Sequence, residues 1–323
     1  MIDIVLATYN GEKFLAEQIR SIQNNNGYDK WVSRLLVIDD GSTDTTFSIV
    51  KELSLHDEKI VWLTNTSNKH GACNNFAFGL AQTLSPYIML SDQDDVWLPE
   101  KIQLSLEKIK QVEKVSGSMP LLVPLLVFSD KEIVDEKLQS ICSSYFKLRD
   151  IPKDWHVNPE QLCQQNVVSG CTMLFNRALL NKAMPIPEQA YMHDWWLALV
   201  ANKCGKLELI DKPLIKYRQH DNNTIGVNRR SKLSLITRFY KHLKQFEQSF
   251  LQIIEQAKAF EIFEQKHGLS KSLTIDALAN MHNLSKSQRI LLFINKTITR
   301  SHFFGKIALL IVLLKFNENI KKA

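Results

Sequence analysis

Residues 87–97 read Tyr87-Ile88-Met89-Leu90-Ser91-Asp92-Gln93-Asp94-Asp95-Val96-Trp97, an apolar run followed almost at once by three carboxylates. A short run without polar positions reads as a strand buried on both faces. The acidic turn then lies at its carboxyl end, where open α/β sheets bind ligands. Carboxylates this close repel one another unless a cation or solvent compensates them. Hard oxygen donors of this kind suit magnesium or manganese bridging a diphosphate. An exposed turn capping the helix after Pro99 accounts for one aspartate but poorly for three.

Working outward, apolar runs at 2–7, 35–38 and 60–63 alternate with helical patterns, the first carried by Phe14, Leu15, Ile19 and Ile22 on one face of a 3.6-residue repeat. Apolar strands separated by amphipathic helices predict a mainly parallel sheet covered on both sides. The run 121–128 contains Pro124, which removes a ladder donor and places that strand near an edge or a bulge. Strands are expected at 171–175 and 214–217 and a helix from near His193. Beyond Arg229 the pattern is helical, including 233–265. We therefore expect an α/β domain over 1–228 and a helical region over 229–323.

With 323 residues and 45% apolar content, the chain can bury a large core. Its five cysteines (Cys73, Cys142, Cys163, Cys171, Cys204) are odd in number and lack a C-x-x-C pair. They suggest neither a disulfide framework nor a zinc site, and a reducing cytosol is expected. Met1 leads straight into a strand pattern without the layout of a secretion signal. The longest apolar run, 307–314, falls well short of the roughly 20 residues that cross a bilayer. The net charge is +6, with Arg229, Arg230, Lys232, Arg238, Lys241 and Lys244 clustered late in the chain, which suits an anionic surface. Nucleic acid is not an expected partner.

A second acidic segment, Asp39-Asp40-Gly41-Ser42-Thr43-Asp44, also follows an apolar strand. Ser42 or Asp44 suits a helix cap. Asp39 and Asp40 are placed to accept hydrogen bonds from a nucleobase imide or a ribose hydroxyl. The first strand delivers Ala7-Thr8-Tyr9-Asn10 to the same edge, where Tyr9 can flank a base.

Together LATYNGEKFL, VIDDGSTD and LSDQDDVWLPEKI, in this order, closely resemble the inverting family-two glycosyltransferases of the GT-A fold over roughly residues 1–225. The SDQDDVW and HDWW segments look like bacterial rhamnosyltransferase-type members that build surface polysaccharides. The resemblance implies a Rossmann-like, mainly parallel α/β sheet and a nucleoside held by Ala7, Thr8, Tyr9 and Asp40. It makes Asp92 and Asp94 the D-x-D element, with Asp95 adjacent, and implies Mn2+ or Mg2+ on Asp94, Asp95 and His220. In the segment 68–76 the family's usual arginine is absent. Lys69 or Asn75 contacts the base, ribose or phosphates, or the segment serves helix entry with Asn74 as cap.

The family's Glu-Asp pair corresponds to His193-Asp194, which makes Asp194 the base that accepts the proton of the attacking hydroxyl. A helix cap is its alternative role. His193, Trp195 and Trp196 are candidates for the acceptor cleft. Adjacent helical positions point about 100° apart, so one indole at most serves as a sugar platform. Arg218 offers a forked guanidinium to the diphosphate, and His220 an imidazole to the metal. A Q-x-x-R-W signature is missing, which argues against a processive synthase.

The expected reaction moves a sugar from dTDP-rhamnose or a UDP-hexose to a hydroxyl of a glycan acceptor, lipid-linked, in O-antigen or capsule synthesis. A dinucleotide enzyme or nucleotidyltransferase would need a G-x-G-x-x-G or G-x-x-x-x-G-K-[ST] turn, and neither occurs. A non-catalytic glycan-binding protein on the same fold is the other rival, disfavoured by Asp94 and Asp194. In the helical region Leu235, Ile236, Phe239, Leu243, Phe246 and Phe250 recur at three- and four-residue steps among Arg238, Lys241 and Lys244. The last apolar segment, 303–316, is flanked by Arg300, Lys306, Lys315, Lys321 and Lys322. For it, contact with an anionic membrane at the inner face of the cell and packing on protein, including an oligomer partner, stand as equal alternatives.

Overall fold

The alternation of apolar strand and amphipathic helix builds a sheet whose first four strands run parallel. The computed structural model describes residues 1–115, 122–220 and 235–316, with the side chains of 235–242 left aside. Strands β1 (Ile2–Thr8), β2 (Val32–Asp39), β3 (Ile60–Thr64) and β4 (Tyr87–Asp92) pair as β3-β2-β1-β4. Ile4, Val5, Leu6, Leu36, Val37, Met89 and Leu90 are fully buried, as expected of strands covered on both faces. The sheet continues through β8 (Met173–Asn176), β6 (Leu125–Val134), β9 (Lys206–Arg218) and β5 (Val96–Trp97), with β7 (Ser140–Cys142) on β6. Here the pairing is mixed: β8 is antiparallel to β4 and β6, and β6 is parallel to β9.

The helices of this unit are α1 (Leu15–Gln23), α2 (Tyr28–Trp31), α3 (Thr46–Ser54), α4 (Ala72–Ala81), α5 (Lys101–Val115), α6 (Tyr145–Leu148), α8 (Arg177–Ala183) and α9 (His193–Cys204). Helix α1 buries Leu15, Ile19 and Ile22 together with Gln18, whose amide donates to Ser91 Oγ at 2.6 Å beneath the acidic turn. Helix α4 lies close on β1 and β2 because Gly79 has no side chain. A Cβ there would come within 2.6 Å of Ile38 and 2.7 Å of Val5.

Pro124 does not put its strand at an edge. β6 is central, between β8 and β9, and begins one residue later, so the proline costs no ladder bond; its carbonyl accepts from Lys206 N at 3.0 Å. The bulge expected nearby occurs further along, between Ser129 and Glu132.

The chain divides into two compact units. One comprises Met1–Leu148, Val168–Ile186 and Met192–Gly226 and holds the whole sheet; the other comprises Arg149–Val167, Pro187–Tyr191 and Val227–Ala323. The boundary at 228 and the basic positions Arg229, Arg230 and Lys232 lie outside the described residues, as do Lys321 and Lys322, and the side chains of Leu235, Ile236, Arg238, Phe239 and Lys241 are likewise not described.

The second unit contains α7 (Pro159–Leu162), α10 (Leu235–Lys266), α11 (Leu273–Ala279), α12 (Lys286–Ile294) and α13 (Phe303–Lys315). Phe250, Ile253, Ile254, Ala257 and Phe260 form the buried stripe of α10. The segment 149–167 belongs to this unit through Gln164, whose Nε2 donates to Thr297 O at 3.1 Å and whose Oε1 accepts from Thr299 N at 2.6 Å. Among the described residues no helix is long and apolar enough to cross a membrane.

Candidate active site

Parallel strands deliver their carboxyl ends to one edge of the sheet, and the candidate residues gather there. In register, Ala7 pairs with Ile38 on one side and Asp92 on the other, and Thr8 pairs with Asp39. The loops after β1 and β4 are then joined by Gln93, the middle residue of the acidic turn. Its Oε1 accepts from Thr8 Oγ1 at 2.7 Å and Tyr9 N at 2.9 Å, and its Nε2 donates to Tyr9 O at 3.1 Å. The Tyr9 side is left open, with that residue 56% exposed.

The turn after β2 is held by its own aspartates. Asp39 accepts from Gly41 N at 3.1 Å, Ser42 N at 3.0 Å and Ser42 Oγ. Asp40 reaches the loop before α4: Oδ2 accepts from Gly71 N at 2.7 Å, and Oδ1 lies 3.0 Å from His70 Nδ1 and 3.2 Å from Asn65 Nδ2. Gly71, at φ 92°, occupies the position before α4 in a conformation that other residues rarely adopt. Asn74 is not the cap; its amide donates back to His70 O at 2.9 Å. Asn75 is buried and ties α4 to the end of β2 through Ile38 O at 2.9 Å, while Lys69 is exposed. Neither Ser42 nor Asp44 is the cap of α3, whose cap position is Thr45; Asp44 Oδ1 accepts from Thr46 N at 3.0 Å one residue before it.

The turn after β4 is different in kind. Ligand atoms of Asp92, Asp95 and Cys171 lie within 4.8 Å of one another. Asp95 is fully buried; its Oδ1 accepts from Arg218 N at 3.3 Å, while Oδ2 has no hydrogen-bond partner. Burial, followed by the charge of Asp94, pushes the Asp92 and Asp95 carboxyls well above the usual carboxylate range, and Lys131 opposes the shift. Asp194 adds to the upward push on Asp92, which places the candidate base within electrostatic reach of the cluster. Burial raises the Cys171 thiol as well. It therefore stands as a neutral group rather than a soft thiolate, and the anionic donors are hard oxygens.

Two buried lysines back this turn. Lys131 Nζ donates to Ser169 Oγ at 2.8 Å and lies 3.7 Å from the Tyr217 ring centroid. Lys101 Nζ sits 4.6 Å over Trp97 with no hydrogen-bond partner, and burial pushes it down to about 8. Asp94 points to His220, with Nε2 and Oδ2 2.8 Å apart. An imidazole nitrogen and a carboxylate oxygen this close are two donors suited to a divalent cation, but among the described residues the one group of three ligand side chains within 4.8 Å is Asp92, Asp95 and Cys171, which includes neither Asp94 nor His220.

Arg218 does not extend toward a phosphate. Its side chain is 2% exposed, and all three guanidinium nitrogens donate to protein oxygens: Nε to Asp94 O at 2.9 Å, Nη1 to Glu136 O and Nη2 to the Glu17 carboxylate. The group lies 4.4 Å from the Phe14 centroid. A fork saturating backbone and carboxylate acceptors braces the Asp94-Asp95 turn instead.

Asp194 lies in the first turn of α9, and its Oδ2 accepts from Gly170 N at 3.0 Å. That bond leads to the 3-10 turn Gly170–Thr172, and the cap position of α9 is Met192 rather than Asp194. The acceptor-cleft candidates around it are interior: His193 is 2% exposed, Trp195 5% and Trp196 3%. His193 stacks on Phe76 with centroids 4.1 Å apart, and burial pushes it down to about 3, so the imidazole is neutral. Trp196 donates its indole N–H to Ala183 O at 2.9 Å. These three rings position α9 from within and present no platform to a sugar.

The chain is similar to known glycosyltransferases in sequence and in fold. Residues 3–121 match the model of the family described as glycosyl transferase family 2. The chain is 27% identical over 230 residues to the dTDP-rhamnosyl transferase RfbG of Shigella flexneri, covering 69% of this chain and 74% of that protein. Among solved structures, S. aureus TarS 1–349 in complex with UDP-GlcNAc superposes with a TM-score of 0.56 at 14% identity, over 97% of this chain and 90% of that one. The mannosyltransferase PcManGT of Pyrobaculum calidifontis in complex with GDP-Man and Mn2+ gives 0.50 at 15% identity, over 98% and 88%. At such identities the structural likeness speaks for the GT-A fold.

Proposed function

Since this chain is a glycosyltransferase carrying a family 2 domain, we propose that it transfers one sugar, with inversion, from a nucleoside-diphosphate sugar to a hydroxyl of a lipid-linked glycan. The donor we favour is dTDP-rhamnose, the sugar nucleotide in the name of the Shigella flexneri relative, ahead of a UDP-hexose. The setting is O-antigen or capsule synthesis in the cytoplasm.

The observation that carries the proposal is the approach of Asp194, held by Gly170 N, to the crowded carboxylates at the end of β4. In the reaction the acceptor oxygen attacks the anomeric carbon while the bond from that carbon to the diphosphate breaks. Asp194 takes the hydroxyl proton, and the diphosphate leaves with the electron pair. Asp94, Asp95 and His220, with Asp92 in the same turn, would hold Mn2+ or Mg2+, which supplies positive charge opposite the departing diphosphate. Ala7, Thr8 and the open face of Tyr9 receive the nucleoside, with Asp40, Lys69 and Asn75 ordering the loop beside it. Arg218 acts as a positioning residue for the acidic turn.

Replacing Asp194 by Asn tests the proposal directly. Donor affinity should be unchanged, and transfer should fall by about 10²- to 10⁴-fold, the range of general acid-base catalysis. Transfer near the wild-type rate would move the base elsewhere.

A further inference from the structure

Helix α13 has two apolar faces, and one of them is only partly covered. Leu309, Val312, Leu313 and Phe316, just past the helix end, are buried, with the Phe316 ring edge-on to Phe250 at 6.0 Å. At 100° per residue, Leu310, Phe303, Leu314, Ile307, Ile311 and Phe304 fall in a different arc of about 120°. Phe303 and Phe304 are 70% and 74% exposed, and the four aliphatic side chains are partly exposed. Exposed Lys306 and Lys315 border this arc, one on each side. Helix α12, packed beside α13, adds Leu291 and Ile294 at 54% and 65% exposure, with exposed Lys286 and Lys296 at its two ends. Apolar surface gathered in this way, unlike single scattered side chains, marks an interaction site.

The charge pattern identifies the partner. From 277 to 317 the chain contains six Lys and Arg residues and no Asp or Glu, and four of the six, Lys286, Lys296, Lys306 and Lys315, are exposed while Arg289 and Arg300 are buried. We propose that α12 and α13 form a docking surface for an anionic lipid bilayer. Phe303, Phe304, Leu291 and Ile294 enter the boundary between headgroups and acyl chains, while Lys286, Lys296, Lys306 and Lys315 meet acidic headgroups. A second copy of the chain fits less well. A two-fold interface pairs a patch with itself, and this patch would set its four exposed lysines against one another, with Asp150 beside His302 as an acidic neighbour at one end only. The docking surface is independent of which sugar is transferred.

The test is flotation of the full chain with vesicles of phosphatidylcholine alone and of phosphatidylcholine with phosphatidylglycerol. Binding is expected only with the anionic lipid and should be released toward 1 M salt, where the Debye length shrinks to about 3 Å. The double substitution Phe303→Ser, Phe304→Ser should weaken vesicle binding about tenfold or more, with circular dichroism unchanged, and Lys296→Glu with Lys306→Glu should do the same. Should the serine variant fail to fold, amide hydrogen exchange on the wild type replaces it: exchange across 286–315 should slow when anionic vesicles are added. No flotation with anionic vesicles at low salt, full binding by the serine variant, or unchanged exchange would each overturn the proposal. So would a dimer that the serine substitutions dissociate while vesicles have no effect.

Discussion

Two acidic turns flank β1, one at the end of β2 and the other at the end of β4, and as strings of letters they look alike. Their electrostatics differ. After β2, Asp39 and Asp40 meet three backbone amides, a serine hydroxyl, the Asn65 amide and the His70 ring. After β4, the aspartates meet fewer donors: Asp94 the His220 ring and Asp95 the Arg218 N–H, with the Cys171 thiol beside Asp92 and Asp95. Asp95 keeps an oxygen with no partner inside the protein, and Asp92 and Asp95 are both driven above their ordinary range. A turn whose donors match its charge is complete as folded. A turn whose crowded carboxyls are held toward the protonated form, with lysines buried behind them, is prepared for a cation and the diphosphate it neutralises.

That contrast predicts opposite consequences for superficially similar substitutions. The largest effect should be on turnover. Asp94→Asn leaves the Arg218 bond to the Asp94 carbonyl in place, but removes the charge that His220 faces. We expect transfer to fall by about 10²-fold or more, with metal-dependent donor binding lost, because metal assistance is worth several kcal/mol at the transition state. Chelation of wild-type protein should reproduce the loss, and added Mn2+ should restore the wild type alone. Transfer by the variant at the wild-type rate after chelator treatment would break the contrast at its strongest point.

The next effect is on stability and belongs to the other turn. Asp39→Ala removes the acceptor of two backbone amides and a hydroxyl at a buried strand end. A cost of about 2–3 kcal/mol is expected, since these are charge-assisted bonds and the amides are left short of partners. It should be read as a lower urea midpoint with an unchanged slope. Asp94→Asn in the same measurement should shift stability by less than about 1 kcal/mol, as a partly exposed change away from packing usually does. Equal losses in the two variants would show that both turns are structural.

The difference between the turns was only partly legible beforehand. Periodicity placed the four parallel strands, three of them because side chains buried on both faces leave an unbroken apolar run at 4–6, 35–38 and 88–90. Asp40, Asp94 and Asp194 were visible as acidic residues at strand or helix ends. What neighbours them depends on chain pairing far apart in sequence: Gln93 bridges to Thr8, Gly170 N to Asp194, and Arg218 to Glu17. No local pattern encodes those partners. Arg218 illustrates the limit, since its guanidinium suits phosphate chemically and only tertiary burial shows its donors turned inward. Trp195 and Trp196 mislead in the same way: an aromatic pair beside a candidate base suggests a sugar platform, whereas both rings are needed to fill the interior around α9. Gln93 was in plain view between the aspartates, but recognising its clamp on Thr8 and Tyr9 requires the register of β1 on β4.

The smallest effect concerns Asp95, and its sign is what sharpens the contrast. The native carboxyl is raised by burial and then by the charges of Asp94 and Asp92 above the ordinary aspartate value of 3.8. The unfolded chain therefore releases its proton as pH rises through that value while the native protein still holds it, and native stability falls across the interval up to the raised native pKa. Above the interval the metal-free protein bears the full cost of a buried, incompletely compensated charge. Asp95→Asn removes that charge and keeps an oxygen to accept from Arg218 N. The variant should be more stable than wild type by about 1 kcal/mol or more at pH 7 to 8 in chelator, because each tenfold difference in proton affinity between the folded and unfolded chain is worth about 1.4 kcal/mol. The gain should vanish as pH falls toward 3.8. With Mn2+ present the ordering should reverse, because a ligand that binds only the native state stabilises the protein in proportion to its affinity. Thermal unfolding of both proteins at several pH values, with and without Mn2+, measures all three. A variant less stable than wild type in chelator at neutral pH would mean that the Asp95 charge is already answered within the protein, leaving the β4 turn no more poised for a cation than the β2 turn.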